Sequence, residues 1–195
     1  MSRVDDAMER RPAWLLRRRL PWDGRWCFAL DYRRGPAMDG DPGRSLIRAF
    51  KAGDRRAIHL AGTLLIDALL QREAPLRGKA DVLHLVPIPG HLAGPAGRPL
   101  DLLCRGVAEL LPWMTYAPGM LVRTDSVHQS SASKVRPSAE DHVRTLAWTG
   151  GRIGYSVIVI DDVFTFGSVT GATLEHLKDA GARDIVVACV ARTVL

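Results

Sequence analysis

The stretch that decides the fold is Val157-Ile158-Val159-Ile160-Asp161-Asp162-Val163-Phe164-Thr165-Phe166-Gly167-Ser168, which runs on through a helical pattern to Ala180 and Gly181. Val157 to Ile160 is an unbroken β-branched run, as expected of a strand buried on both faces of a parallel sheet. Ser168 to Ala180 is predicted to be a helix, with Gly181 closing its C-terminus. Ile185 to Val190 is a second apolar run of strand length. Strand, helix and strand in that order form a β-α-β unit.

Toward the N-terminus the alternation continues. Ser138 with Asp141 three residues later predicts a capping box and a helix to about Trp148, before the Gly150-Gly151 turn. Val122 to Val135 is polar and Ser-rich, which predicts a mobile loop. Pro99 to Leu111 is predicted to be a helix with proline in its first turn. Asp81 to Val86 suits a short buried strand that stops at Pro87-Ile88-Pro89-Gly90, and a loop with Gly94 and Gly97 follows. Asp54 is an N-cap candidate for a long amphipathic helix carrying Ile58, Ala61, Leu65, Ala68 and Leu69. Ser45 to Lys51 predicts a short helix, preceded by a Gly/Pro/Asp turn region ending at Gly43. Trp26 to Tyr32 is a candidate strand in an otherwise irregular segment. The predicted class is α/β, a mostly parallel central sheet flanked by helices. The expected organisation is an Arg/Trp-rich segment over 1–43, acting as a small N-terminal hood, and one α/β domain over 44–195.

The chain has 195 residues and a net charge of +6. Residues 1–60 carry 14 Lys+Arg against 8 Asp+Glu, while residues 61–195 carry 13 of each, so the whole excess lies in the first third. Contact with a polyanion such as nucleic acid is one reading of that asymmetry, and a solvated Arg-rich surface is the other. Three widely spaced cysteines, Cys27, Cys104 and Cys189, argue against a disulfide framework and a zinc ribbon. The N-terminus has no apolar signal region, and no apolar run is long enough for a membrane span. The expectation is a cytoplasmic protein without membrane attachment, and homodimer formation is left open.

The chemistry concentrates at the end of the 157–160 strand. Asp161 and Asp162 are adjacent acids where α/β sheets bind ligands. Paired carboxylates need compensation by hydroxyls or a divalent cation. Thr165, Gly167, Ser168 and Thr170 follow at a helix start, where free N–H groups favour phosphate. Carboxylates beside such amides describe a ribose-5-phosphate pocket; the alternative is a strand-turn-helix that uses Asp and Thr only as turn and cap residues.

VIVIDDVFTFGSVTGATLEHLKDAGA (157–182) resembles the signature for 5-phosphoribosyl-1-pyrophosphate (PRPP) in type I phosphoribosyltransferases, and more narrowly their ComF/GntX-like branch. SLIRAFKAGD (45–54), LVPIPGH (85–91), GRPLDLLCRGVAEL (97–110) and LVRTDSVHQSSASKVR (121–136) resemble further segments of that branch. The resemblance implies the type I phosphoribosyltransferase fold and PRPP as partner, with an unidentified nitrogenous acceptor. It implies that Asp161 and Asp162 bind the ribose hydroxyls, with Mg²⁺ as cofactor bridging ribose and pyrophosphate. It implies that Thr165, Phe166, Gly167, Ser168, Val169 and Thr170 hold the 5′-phosphate, mainly by backbone. Pro87, Ile88, Pro89, Gly90 and Arg98 would face the pyrophosphate, and Arg123, Gln129 and Arg136 would belong to a loop closing over the substrate.

The chain departs from the family in three places, one of them the branch's RGFN-like segment, which reads Arg98-Pro99-Leu100-Asp101 here. The usual Thr-Thr-Gly-x-Thr is Thr165-Phe166-Gly167-Ser168-Val169 here, so Phe166 and Val169 replace hydroxyls while the backbone donors survive. The branch's N-terminal Cys-x-x-Cys zinc module is replaced by residues 1–43. Two functions therefore compete: Mg²⁺-dependent phosphoribosyl transfer, and a PRPP- or nucleotide-binding or competence-type DNA-handling accessory without turnover. A P-loop NTPase is excluded because no G-x-x-x-x-G-K-[ST] occurs. Of the histidines, His84 reads as a core residue, while His91 and His128 are the ones placed to touch a ligand.

Overall fold

A computed structural model describes residues 26–33, 41–72, 76, 82–127, 137–153, 156–164 and 167–194. In chain order the elements are β1 (Trp26–Arg33), α1 (Pro42–Lys51), α2 (Arg55–Leu70), β2 (Leu83–Pro87), α3 (Arg98–Leu110), β3 (Met114–Tyr116), β4 (Leu121–Arg123), α4 (Ala139–Thr145), β5 (Leu146–Trp148), β6 (Val157–Phe164), α5 (Ser168–Asp179) and β7 (Ile185–Val194). Five strands form one sheet in the order β1-β7-β6-β2-β3, and every neighbouring pair is parallel. The α/β class with a parallel sheet flanked by helices, expected from the sequence, is the architecture that forms.

The strand order creates a switch point. From β2 the chain passes through α3 to β3 on one side. It then returns to the other side of β2 as β6 and winds outward through α5 to β7. The winding direction reverses between β2 and β6, which lie side by side with Val86 opposite Val159 and Pro87 opposite Ile160. Their carboxyl ends open a crevice of the kind that holds ligands in such sheets.

Both faces of the sheet are covered, which is why β6 is apolar without alternation. Ile158 and Ile160 pack with Leu46 and Phe50 of α1, Leu65 and Leu69 of α2, and Leu103 and Cys104 of α3. Val157 and Val159 pack on the opposite face with Leu177 of α5 and Val187 and Cys189 of β7. All four β6 residues are 0% exposed. Burying such a side chain contributes about 1.5–3 kcal/mol, so this strand is the centre of the fold.

The corner between α1 and α2 is built by two caps. Asp41 accepts from Arg44 N at 2.8 Å, with Pro42 opening α1. Asp54 accepts from Ala57 N at 2.8 Å and starts α2. Between them Gly53 takes φ +81°, a left-handed conformation that glycine adopts without a Cβ clash.

Several boundaries differ from the sequence reading. The helix expected from Ser138 to about Trp148 keeps its capping box but ends at Thr145. Leu146 turns extended, and Leu146–Trp148 pairs antiparallel with Leu121–Arg123. Pairing of a short apolar strand outweighs continuation of a seven-residue helix. The mobile loop expected over Val122 to Val135 begins as that strand, and Val127 N donates to His91 O at 2.8 Å. The second strand starts at Leu83 and includes Pro87, and α1 starts at Pro42 inside the expected turn region. β1 lies within residues 1–43 and forms the edge of the central sheet beside β7. Trp14, Trp22 and the arginines before residue 26 fall outside the described residues. All three cysteines are buried and free.

Gly181 follows α5 at φ +94°, and a Cβ there would stand 2.9 Å from Ile153 O. Gly181→Ala is expected to cost at least about 1 kcal/mol, through strain and that backbone clash. Urea unfolding should show a lower midpoint with an unchanged m-value.

Candidate functional site

β6 does not stop at the acidic pair, as the sequence suggested, but carries Asp161 and Asp162 past its wholly buried first half and runs on through Val163 and Phe164. Ile88 N donates to Ile160 O at 2.8 Å, so the Pro87–Gly90 turn leaves β2 directly beside Asp161. The topology thus joins two segments that lie more than 70 residues apart in the chain. Asp161 is half-buried, and its Oδ1 accepts from Asp162 N at 2.8 Å. Burial, and second the charge of Asp162, raise the Asp161 pKa well above the ordinary carboxylate range. Asp162, also half-buried, pairs with Lys51 Nζ at 3.0 Å. Cys189, opposite Asp161 on β7, is pushed well above the usual thiol value by burial and then by both acids, which keeps it unreactive.

The helix after the strand presents an open N-terminus. Gly167 is the N-cap residue of α5, at φ +76°, and no side chain caps the first turn. The ring of Phe164 closes over Gly167, and a Cβ there would meet it at 3.0 Å. The N–H groups of the first turn are therefore free of a side-chain partner and can bind an anion. Thr170 Oγ1 is buried and has no hydrogen-bond partner among the described residues. Ser168 is half-buried at the first helical position. The side chain of Val169 packs against the apolar cluster under α5, which leaves its backbone N–H in the first helical turn. Thr165 and Phe166 lie outside the described residues.

The remaining predicted residues divide. Pro87, Ile88 and Pro89 are buried, and Gly90 is exposed at the crevice. Arg98 is exposed at the first turn of α3, whose Gly97 N-cap supplies no side-chain bond. Arg123 does not sit on a mobile loop. It is 2% exposed on β4, and its guanidinium donates to Gly90 O at 2.5 Å and to Thr145 Oγ1 at 2.5 Å, and lies 3.4 Å from His142 Nδ1. Burial, and second the nearby Arg123 charge, lower the His142 pKa, so the ring is a neutral acceptor. A backbone bridge between Gly94 and Arg123 ties the same two segments again. Arg123 thus holds the Gly90 loop in place from behind. Gln129, Arg136 and His128 lie outside the described residues. His84 sits half-buried in β2 with its pKa lowered by burial, and His91 is engaged through its carbonyl.

Two groups escaped sequence reasoning. Lys51 lies in the quoted SLIRAFKAGD segment, but only the packing of α1 brings it to Asp162. Tyr116, which donates to Asp101 and lies under Arg105, fastens α3 to β3 at the sheet edge. Among the described residues no group of three or more His, Cys, Asp or Glu could hold a metal ion. Asp161 and Asp162 are the acids that could hold a divalent cation, and only with ligand oxygens completing its shell. No helix among the described residues is long and apolar enough to cross a membrane.

No protein-family model and no curated protein matches the chain. Among solved structures, a purine phosphoribosyltransferase from Pyrococcus horikoshii Ot3 is similar over 66% of this chain and 70% of its own, with 19% sequence identity and a TM-score of 0.35. A likeness at that level assigns no ligand to the crevice.

The Asp161 environment predicts a pH dependence. Its folded pKa is raised from 3.8 to about 8, so the folded state holds the proton more tightly than the unfolded state. Stability from this residue is fully present below the unfolded value and is lost as pH rises through that window. Asp161→Asn should therefore gain stability relative to the parent protein as pH goes from 4.5 to 8, measured by urea unfolding of both proteins at each pH. A constant difference would contradict the assigned environment. Arg123→Met should lose more than about 3 kcal/mol, because Gly90 O and Thr145 Oγ1 lose a buried partner.

Proposed function

We propose that the crevice binds PRPP and that the protein transfers its phosphoribosyl group to a nitrogenous acceptor, releasing pyrophosphate. The observation that carries this reading is the meeting, at one switch point, of an acidic pair with an uncapped helix N-terminus. Asp162 and Asp161 would accept hydrogen bonds from the two ribose hydroxyls. The first-turn amides of α5, behind the left-handed Gly167, would hold the 5′-phosphate. The Pro87–Gly90 turn, held by Arg123, would face the pyrophosphate, with Arg98 at the outer end. Mg²⁺, held through Asp161 and Asp162 together with ligand oxygens, would supply charge stabilisation for the departing pyrophosphate. In the transfer the C1–oxygen bond to pyrophosphate breaks as a C1–nitrogen bond forms, and the acceptor's proton passes to solvent or a base.

Arg123 also supports a second reading. A guanidinium spent on Gly90, Thr145 and His142 is not free to close over a substrate, and Val169 is spent on packing. Both features suit a protein that binds PRPP or a nucleotide without turning it over.

Calorimetry with PRPP and Mg²⁺ tests the binding. The intact protein should bind, and Asp161→Asn/Asp162→Asn should weaken binding by at least about tenfold, the loss of one or two charge-assisted contacts. Pyrophosphate release with a panel of nitrogenous bases then separates enzyme from binding module. Absence of PRPP binding by the intact protein would overturn the transfer reading, and absence of binding to both PRPP and nucleotides would overturn the second.

A further inference from the structure

α1 carries Arg44, Arg48 and Lys51 at i, i+4 and i+7, on a face away from the buried Leu46, Ile47 and Phe50. The stripe ends at the crevice. Lys51 Nζ reaches Asp162 Oδ2 at 3.0 Å, and the two side chains are 54% and 27% exposed, so both meet solvent at the mouth. The backbone beneath Lys51 is held firmly. Phe50 is 1% exposed, Ala52 N donates to Arg48 O at 3.0 Å, and Gly53 N donates to Phe50 O at 2.9 Å. The lysine is thus delivered to the acidic pair by a rigid corner between two capped helices.

An exposed ion pair adds little to stability. Its effect here falls on occupancy of the site. We propose that Lys51 is the built-in counterion of the crevice, its ammonium taking the place beside Asp162 Oδ2 that a divalent cation would otherwise occupy. A dication arriving alone must dislodge the ammonium or remain close to a like charge. A dication arriving with an anionic ligand meets no such conflict, because the released ammonium can pair with a ligand oxygen. Lys51 therefore discourages loading of the bare cation and couples cation binding to ligand binding. This inference rests on reading Asp161 and Asp162 as the cation-bearing side of the site, and it requires no particular phosphoribosyl ligand.

The test uses Mn²⁺ alone, titrated into the full-length protein at pH 8 and followed by the electron paramagnetic resonance signal of the free ion. Lys51→Met and Lys51→Gln should each bind Mn²⁺ about tenfold more tightly than the parent protein. Lys51→Arg should match the parent. In an Asp162→Asn background the substitution at 51 should change nothing. Unchanged or weaker Mn²⁺ binding by Lys51→Met and Lys51→Gln overturns the proposal, and so does a tightening that persists without Asp162. Because PRPP is absent, this outcome is separate from the PRPP titration that tests the proposed function.

Discussion

The structure depends on one constraint: a strand whose first four residues, Val157 to Ile160, are wholly buried carries two adjacent carboxylates, Asp161 and Asp162, in its middle before it runs on through Val163 and Phe164. Val157 to Ile160 are wholly enclosed between α1, α2 and α3 on one face and α5 on the other. One residue further on, the chain must solvate Asp161 and Asp162. The fold manages this by opening a crevice where β2 stops opposite Ile160, by donating Asp162 N to Asp161, and by bringing Lys51 to Asp162. Uncompensated, two such charges at the edge of an apolar core would oppose folding. Asp161 carries the residual cost as a raised pKa.

The second wall of the crevice is supported from a distance. The Pro87–Gly90 turn leaves β2 and has few side-chain donors of its own. Arg123, buried on β4, supplies a bond to Gly90 O, and Thr145 and His142 of α4 hold the guanidinium. The small β4–β5 sheet therefore acts as a brace for the loop that faces the acidic pair. This explains why a residue of charged type is 2% exposed in a segment that otherwise reads as polar loop.

Much of the frame was legible in the sequence because local physics set it. The β-branched run at 157–160, the Asp54 cap, the Ser138–Asp141 capping box and the glycine after α5 all appear where their residue types require. The misreadings share a cause. Leu146 to Trp148 continues a helical pattern locally, and only pairing with Leu121 to Arg123 makes it a strand. Arg123 reads as a solvent-facing loop residue until that pairing and Gly90 bury it.

The sequence by itself determined the α/β class, the strand-turn-helix that bears Asp161, Asp162 and Gly167, and the turn at Pro87 to Gly90. These follow from residue periodicity and from conformations that only certain residues adopt. Tertiary structure alone decided that the Pro87–Gly90 turn lies beside Asp161, that Lys51 answers Asp162, and that Arg123 is a brace. Those facts depend on strand order and on helix packing across sequence gaps that run from 19 residues, between Arg123 and His142, to 111, between Lys51 and Asp162. No local pattern encodes them, because each partner is locally satisfied as an ordinary surface residue until the sheet closes around it.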